Sequence, residues 1–354
     1  MQTQSTRKIG ESGLGGSQGE MREVEVEFRH AHDLMRLAWN KGKSHFPCTT
    51  ARDRSLKGGT IVHPESFTAM VVADLLMGQR GEQSVLVRQV VTMLEWELGK
   101  DEDVFYFFKK HERLPADADC TALGLSVMLL GGARVEERAH RALDRILANC
   151  DQNGVVETYF DPTGERDGIV DPVVCANVLF LAHQLGRGDE ARATLEHVHQ
   201  VLLEESYLEG SRYYHSPDTF LYFLGRVVHH FPETQELLLE PLRHAVQKRL
   251  GISTDTIDVA QRTLLCTWFD IDDHGEFNRL VAMQEADGCW PNDALFRYGR
   301  KKVYFGSRVM TTAFAVTAVM QGQDGRVSQS EPEQVEGEVV ISGENVHFVE
   351  FGKG

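Results

Sequence analysis

The chain has 354 residues, 42% of them hydrophobic and 25% charged, which suits a large buried core under an ordinary surface. Its 53 acidic residues outnumber 37 basic ones, and the formal charge of −16 excludes nucleic acid as a main partner, because phosphate binding needs a basic face. None of the six cysteines forms a C-x-x-C pair and no apolar run reaches the roughly 18 residues of a membrane span, so a reduced, cytoplasmic chain is expected, with at most weak contact to a membrane surface.

Residues 1–20 are polar and glycine-rich, cannot bury enough apolar surface to order themselves, and are expected to form a disordered tail. From 21 to 321 the pattern is helical and repeats. Six segments open on a turn or capping residue near Pro64, Asp117, Asp171, Asp218, Asp258 and Ser307, then run apolar for three turns or more. Thr121 to Leu130 is apolar nearly all round, as a helix buried on every side would be, and Pro172 suits a first helical position. Between these lie Ser84–Leu98, Val135–Cys150, Asp189–Glu204 and Glu233–Leu250, which are charged and carry one apolar stripe, as in Leu143, Ile146 and Leu147. Six buried helices alternating with amphipathic ones predict an all-α fold of two concentric rings, an (α/α)6 toroid, with the inner N-termini gathered at one mouth of a central cavity. An irregular α-bundle or solenoid would satisfy the same alternation. Minor β structure is expected only near the termini and in loop hairpins. Residues 322–354 read as a polar C-terminal tail in which Val339 to Ile341 and Val346 to Phe351, either side of Gly343, suit a short hairpin.

Two motifs stand on this frame. Gln284-Glu285-Ala286-Asp287-Gly288-Cys289-Trp290 has the form Q-x-x-D-G-x-W, in which the Gln is placed to bond the next repeat's backbone while the Trp packs beneath. Asp117-Ala118-Asp119-Cys120-Thr121-Ala122 opens the second buried helix. Taken alone, either aspartate reads as a helix cap, worth about 0.3–1 kcal/mol through the helix dipole.

Together the motifs resemble those of the terpenoid cyclase and prenyltransferase toroids: the first is similar to their QW repeat, the second to the D-x-D-D-T-A acid motif of class II terpene cyclases such as the squalene-hopene cyclases. Cys120 stands where that motif has its last aspartate. With room for one toroid, the chain resembles the single-domain class II cyclases of meroterpenoid pathways, of the merosterolic acid synthase type. The resemblance implies a general acid at Asp119, supported by Asp117, that protonates a linear isoprenoid, a prenylated aromatic acid or similar precursor, and starts its cyclisation to a fused polycycle. It implies no cofactor; Mg2+ enters only if the substrate is a diphosphate. An acid of this kind has to be buried among apolar groups to stay neutral.

Asn177, with Cys175 second, is the candidate to orient the acid's proton, the bland reading of Asn177 being a buried amide that bonds a neighbouring helix. Cys120, Thr121 and Asp171 complete the polar substrate-facing set, and Phe220, Trp268, Trp290 and Phe314 are candidate faces for stabilising cations. Tyr159, and Tyr213 or Tyr214, are placed in loops to accept the final proton. Arg297, in a basic cluster with Arg300, Lys301 and Lys302, is the candidate for an anionic head group, against a solvated surface cluster. The rival readings are a zinc-dependent protein prenyltransferase-like chain, a glycan-processing toroid and a non-catalytic binding toroid. Oligomeric state is not legible.

Overall fold

The computed structural model describes residues 31–350 apart from 43, 63–64, 79–80, 100–102, 109–113, 253, 274, 331–336 and 343–344; the expected N-terminal tail lies outside the described residues. Among the described residues twelve α-helices follow in order: α1 over 31–41, α2 Phe67–Leu75, α3 Glu82–Glu97, α4 Ala118–Leu130, α5 Glu136–Ala148, α6 Pro172–Gln184, α7 Arg192–Leu203, α8 Pro217–His230, α9 Gln235–Arg249, α10 Thr256–Trp268, α11 Glu276–Ala282 and α12 Arg308–Ser330. Among the described residues none is long and apolar enough to cross a membrane.

The even-numbered helices are buried nearly all round and pack each on the next, α2 on α4, α4 on α6, and so on to α12, which returns to α2. The odd-numbered ones cover them: α3 lies on α2 and α4, α5 on α4 and α6, α9 on α8 and α10, α11 on α10 and α12. The two classes differ because of their side chains. Helix α5 buries only Ala139, Ala142, Leu143 and Ile146, one stripe at helical spacing, whereas α6 buries every residue from Val173 to Ala182.

Caps set where the inner helices begin. Asp117 accepts from the Cys120 N–H at 2.7 Å, and Asp171 from the Val173 N–H at 3.0 Å with Pro172 behind it. Three expected starts move. Helix α2 takes Ser66 as its N-cap, two residues past the expected start near Pro64. Helix α8 is capped by Ser216 with Pro217 at its first position, which releases Asp218 for ion pairing, and α10 begins after Asp255, leaving Asp258 inside the helix. Helix α12 runs to Ser330, past the expected boundary at 321, since no proline interrupts it before Pro332.

Four short strands, β1 Thr49–Ala51, β2 Thr60–Ile61, β3 Ala294–Arg297 and β4 Tyr304–Gly306, form an antiparallel sheet in the order β2-β1-β4-β3. It pairs the segment before α2 with the segment before α12, Thr49 opposite Gly306. A Cβ at Gly306 would stand 2.1 Å from the Asp293 carbonyl oxygen, so only glycine admits this approach. At the other end β5 Gly337–Ser342 and β6 Asn345–Glu350 form the expected hairpin.

The Q-x-x-D-G-x-W segment closes on itself. Gln284 donates to the Gly288 carbonyl at 3.0 Å, not to the next repeat, and the Trp290 indole donates to the Leu280 carbonyl at 2.8 Å. The segment is tied to the next inner helix by Arg308 of α12, which pairs with Asp287 at 2.7 Å and donates to the Trp290 carbonyl at 3.0 Å, and by the Trp290 N–H, which donates to the Thr312 hydroxyl at 3.3 Å. A second brace is wholly buried: Arg262 of α10 pairs with Asp218 of α8 at 2.7 Å and Glu276 of α11 at 2.9 Å, all three fully shielded. Arg262→Met leaves Asp218 with Arg249 alone and Glu276 with Arg279 alone, and is expected to cost unfolding free energy toward the lower end of about 3–5 kcal/mol; a denaturant midpoint within error of wild type would refute this assignment.

Candidate active site

At the mouth formed by the N-termini of α2 and α4, the loop before α8 and the β3–β4 hairpin lies a cleft of about 570 Å³, counting its open mouth. Its polar floor is Asp117, Asp119 and Cys120; its walls are largely aromatic. Phe67, Phe107, Phe296 and Phe305 pack on one another, Phe296 edge-on to Phe67 at 5.7 Å and to Phe107 at 5.4 Å and parallel to Phe305 at 5.6 Å. Opposite them Tyr159 and Tyr213 meet edge-on at 5.9 Å, with Arg166 and Arg212 over their respective rings.

The two aspartates have divided the work. Asp117 is the α4 N-cap, and Asp119, in the first turn, is left without a capping duty. The Asp119 carboxyl is 8% exposed and held by two side chains from other elements: Asn177 of α6 donates its Nδ2–H to Oδ1 at 2.7 Å, and the Tyr214 hydroxyl bonds Oδ2. Burial raises its pKa to about 6 against the lowering effect of those two hydrogen bonds, and the charge of Asp171 adds to the rise. Asp117 is raised to about 7, by burial and then by the charge of Asp119. Asp119 therefore keeps an appreciable neutral fraction near pH 7, as a general acid requires.

Asp171 positions the wall. One oxygen caps α6, and the other accepts the Tyr213 N–H at 3.0 Å, holding the loop that carries Tyr213 and Tyr214. Arg297 lines the cleft and braces the same loop, its Nε donating to the Arg212 carbonyl at 3.3 Å and Nη2 to the Ser211 carbonyl.

Of the sequence candidates, Asp117, Asp119, Cys120, Tyr159, Tyr213 and Arg297 line the cleft. Asn177 lies directly behind the acid, and Cys175 is buried away from the lining. Thr121 faces the neighbouring segment, its hydroxyl accepting the Phe105 N–H at 3.0 Å. The four aromatic candidates lie elsewhere, because their rings fill contacts between helices, or between a helix and a turn, away from the mouth. Phe220 stacks on Tyr207, Trp268 and Phe314 both pack on Tyr222, and Trp290 sits under its own turn. Arg300, Lys301 and Lys302 are outside the lining. Tyr214, read only as an alternative to Tyr213 for the final proton, turns out to touch the acid. The wall phenylalanines were signalled by the run Phe105-Tyr106-Phe107-Phe108 and by Phe296 following the Trp290 turn, both in non-helical segments. Among the described residues no group of three His, Cys, Asp or Glu side chains is gathered as a metal site.

Comparisons with known proteins bear on this arrangement. Residues 56–185 match the family model of the sesquiterpene cyclase astC-like C-terminal domain. The chain is 34% identical over 210 residues to the drimenol cyclase drtB of Aspergillus calidoustus, covering 59% of this chain and 38% of that protein, so it spans well under half the length of that relative. In structure it is similar to a variant of the type II terpene cyclase MstE from Scytonema in complex with geranylgeranyl dihydroxybenzoate, with a TM-score of 0.67 and 15% identity over 87% of this chain and 99% of that one. Apo MstE gives a TM-score of 0.63 at 16% identity over 86% and 99% of the two chains. A protein from Actinoplanes gives 0.66 at 17% over 85% and 99%. The fold is thus that of the type II terpene cyclases.

The paired acids make stability depend on pH. Asp117 is raised in the folded chain, so its contribution is fully present below its unfolded pKa, near 3.9, and is lost as pH rises through about 7. Asp117→Asn keeps the cap and removes the buried charge. It is expected to raise the melting temperature at pH 8 and to raise it much less at pH 5; an equal change at both would show that the carboxyl does not titrate with folding.

Proposed function

We propose that this chain is a class II terpene cyclase, in which the Asp119 carboxylic acid protonates an alkene of a linear isoprenoid and starts its closure to a fused polycycle. The observation that carries this is a buried, neutral-capable carboxyl, free of capping duty, at the floor of an aromatic cleft. The astC-like match and the similarity to drimenol cyclase and MstE support the same reading. We read the twelve helices as an (α/α)6 toroid that forms the catalytic body over about 21–321, flanked by an N-terminal tail and a C-terminal tail with its hairpin.

In the step proposed, the Asp119 O–H breaks and a C–H bond forms at one alkene carbon. The O–H electron pair stays on the carboxylate, which Asn177 and Tyr214 stabilise by hydrogen bonds. The other alkene carbon becomes cationic and is attacked by the next double bond. Faces of Phe67, Phe107, Phe296 and Phe305 stabilise the moving charge through their quadrupoles and keep water out. Tyr159 or Tyr213 takes the final proton, directly or through water. The reaction so written is carried by the carboxylic acid without a metal, and Mg2+ enters only with a diphosphate head group. The substrate proposed is a prenylated aromatic acid, of the class that the MstE complex holds, with its anionic end at Arg297.

Asp119→Asn keeps the size of the side chain but cannot donate the proton. Turnover is expected to fall by about 10²–10⁴-fold or more with the melting temperature near wild type, and wild-type kcat should decline as pH rises above about 6, because the neutral acid is the active form. Near-normal cyclisation by Asp119→Asn would end the class II reading.

Arg297→Ala tests the head group. It is expected to raise KM for an anionic substrate more than it lowers kcat, since the contact is the same in ground and transition states. An unchanged KM would put the head group elsewhere.

A further inference from the structure

Asn177 is one of two side chains that hold the acid, and an amide can present either an N–H or an oxygen to its neighbour. What decides between them lies on the far side of the ring. Arg226 of α8, 2% exposed, donates Nη1–H to Asn177 Oδ1 at 3.0 Å and Nη2–H to Asp74 Oδ1 of α2 at 2.6 Å. Its guanidinium also lies over the Phe180 ring at 4.3 Å, which fixes its plane. A guanidinium has donors only. The Asn177 oxygen must face it, so the amide nitrogen must face Asp119. The locked amide can only donate to Oδ1, whereas the Tyr214 hydroxyl, which donates to Oδ2 when the acid is ionised, can turn to accept, so the neutral acid carries its proton on Oδ2.

We propose that Arg226, anchored by Asp74, is a positioning residue for the acid: it locks the Asn177 amide as a donor to Oδ1 and so confines the transferable proton of Asp119 to Oδ2. The inference rests on the cyclase reading for its catalytic meaning, while its geometry stands apart from turnover. The hydrogen bonds run Asp74–Arg226–Asn177–Asp119 through α2, α8, α6 and α4, and α2 and α8 are not neighbours in the ring, so the device spans it.

Removing Arg226 alone would strand the largely shielded Asp74, whose side chain is 10% exposed, and endanger the fold. The variant is therefore the double replacement Asp74→Leu with Arg226→Met, which removes both charges and keeps apolar volume. The readout is the titration midpoint of Asp119, followed by its carboxyl infrared band and assigned by loss of the band in Asp119→Asn. The other groups facing the acid are Asp117 on its own helix, Cys120, Asp171 and Cys175 at the head of α6, and Tyr214; the variant leaves them all in place.

Freed of Arg226, the amide turns its oxygen to the neutral acid and stabilises it. The midpoint is expected to rise by about one pH unit, a tenfold change in acid dissociation. The decisive result is a change of sign. In the wild-type background Asn177→Leu deletes a donor to the carboxylate and should raise the midpoint; in the double variant it deletes an acceptor from the acid and should lower it. A rise in both backgrounds, or an unmoved midpoint in the double variant, would overturn the proposal. The titration needs no turnover, so it decides the inference even where Asp119→Asn retains activity and the cyclase reading falls.

Discussion

For the alkene protonation proposed above, a carboxyl has to stay neutral, dry and free of other duties, and here that depends on Asp117 taking the helix cap. The first turn of α4 offers backbone N–H groups that favour a carboxylate anion. Asp117 absorbs them through the Cys120 N–H. Asp119 is thereby left to groups chosen from other helices, and its burial, not the helix end, sets its protonation. Two aspartates two residues apart thus have opposite work, one ordinary and structural, one available for chemistry.

The ring converts this local division into a site. Asp171 performs for α6 what Asp117 does for α4, but its second oxygen reaches across to the Tyr213 backbone and ties the next loop down. Arg297 holds the same loop from the β3–β4 hairpin. The four-stranded sheet brings that hairpin to the mouth by pairing the segments before α2 and α12. The walls of the cleft are therefore held by contacts distant in sequence, which keeps an aromatic surface in place beside a titrating group.

The buried arginines show the same economy. Arg262 satisfies Asp218 and Glu276 and joins three helices, while Arg226 satisfies Asp74 and Asn177 and ends at the acid. Both are donor-only groups in dry surroundings, where an unmet partner is costly. One orders the frame, the other orders a proton.

Local chemistry made much of this legible in advance. The alternation of all-buried and striped helices, the caps at Asp117 and Asp171, the proline after Asp171 and the spacing that sets Asp119 inside the turn are all short-range consequences of side-chain type, as is the pairing of β5 with β6. What tertiary structure alone decided is which groups converge. Phe220, Trp268, Trp290 and Phe314 are as aromatic as Phe67 and Phe296, yet the first four fill helix contacts and turns and the last two line the cleft, because a ring's role follows from which element it meets. Tyr214 and Arg226 are remote in sequence from Asp119 and reach the acid directly or through Asn177 only when α4, α6 and α8 stand side by side. Periodicity reports which face of a helix is buried; it carries no record of what is buried against it.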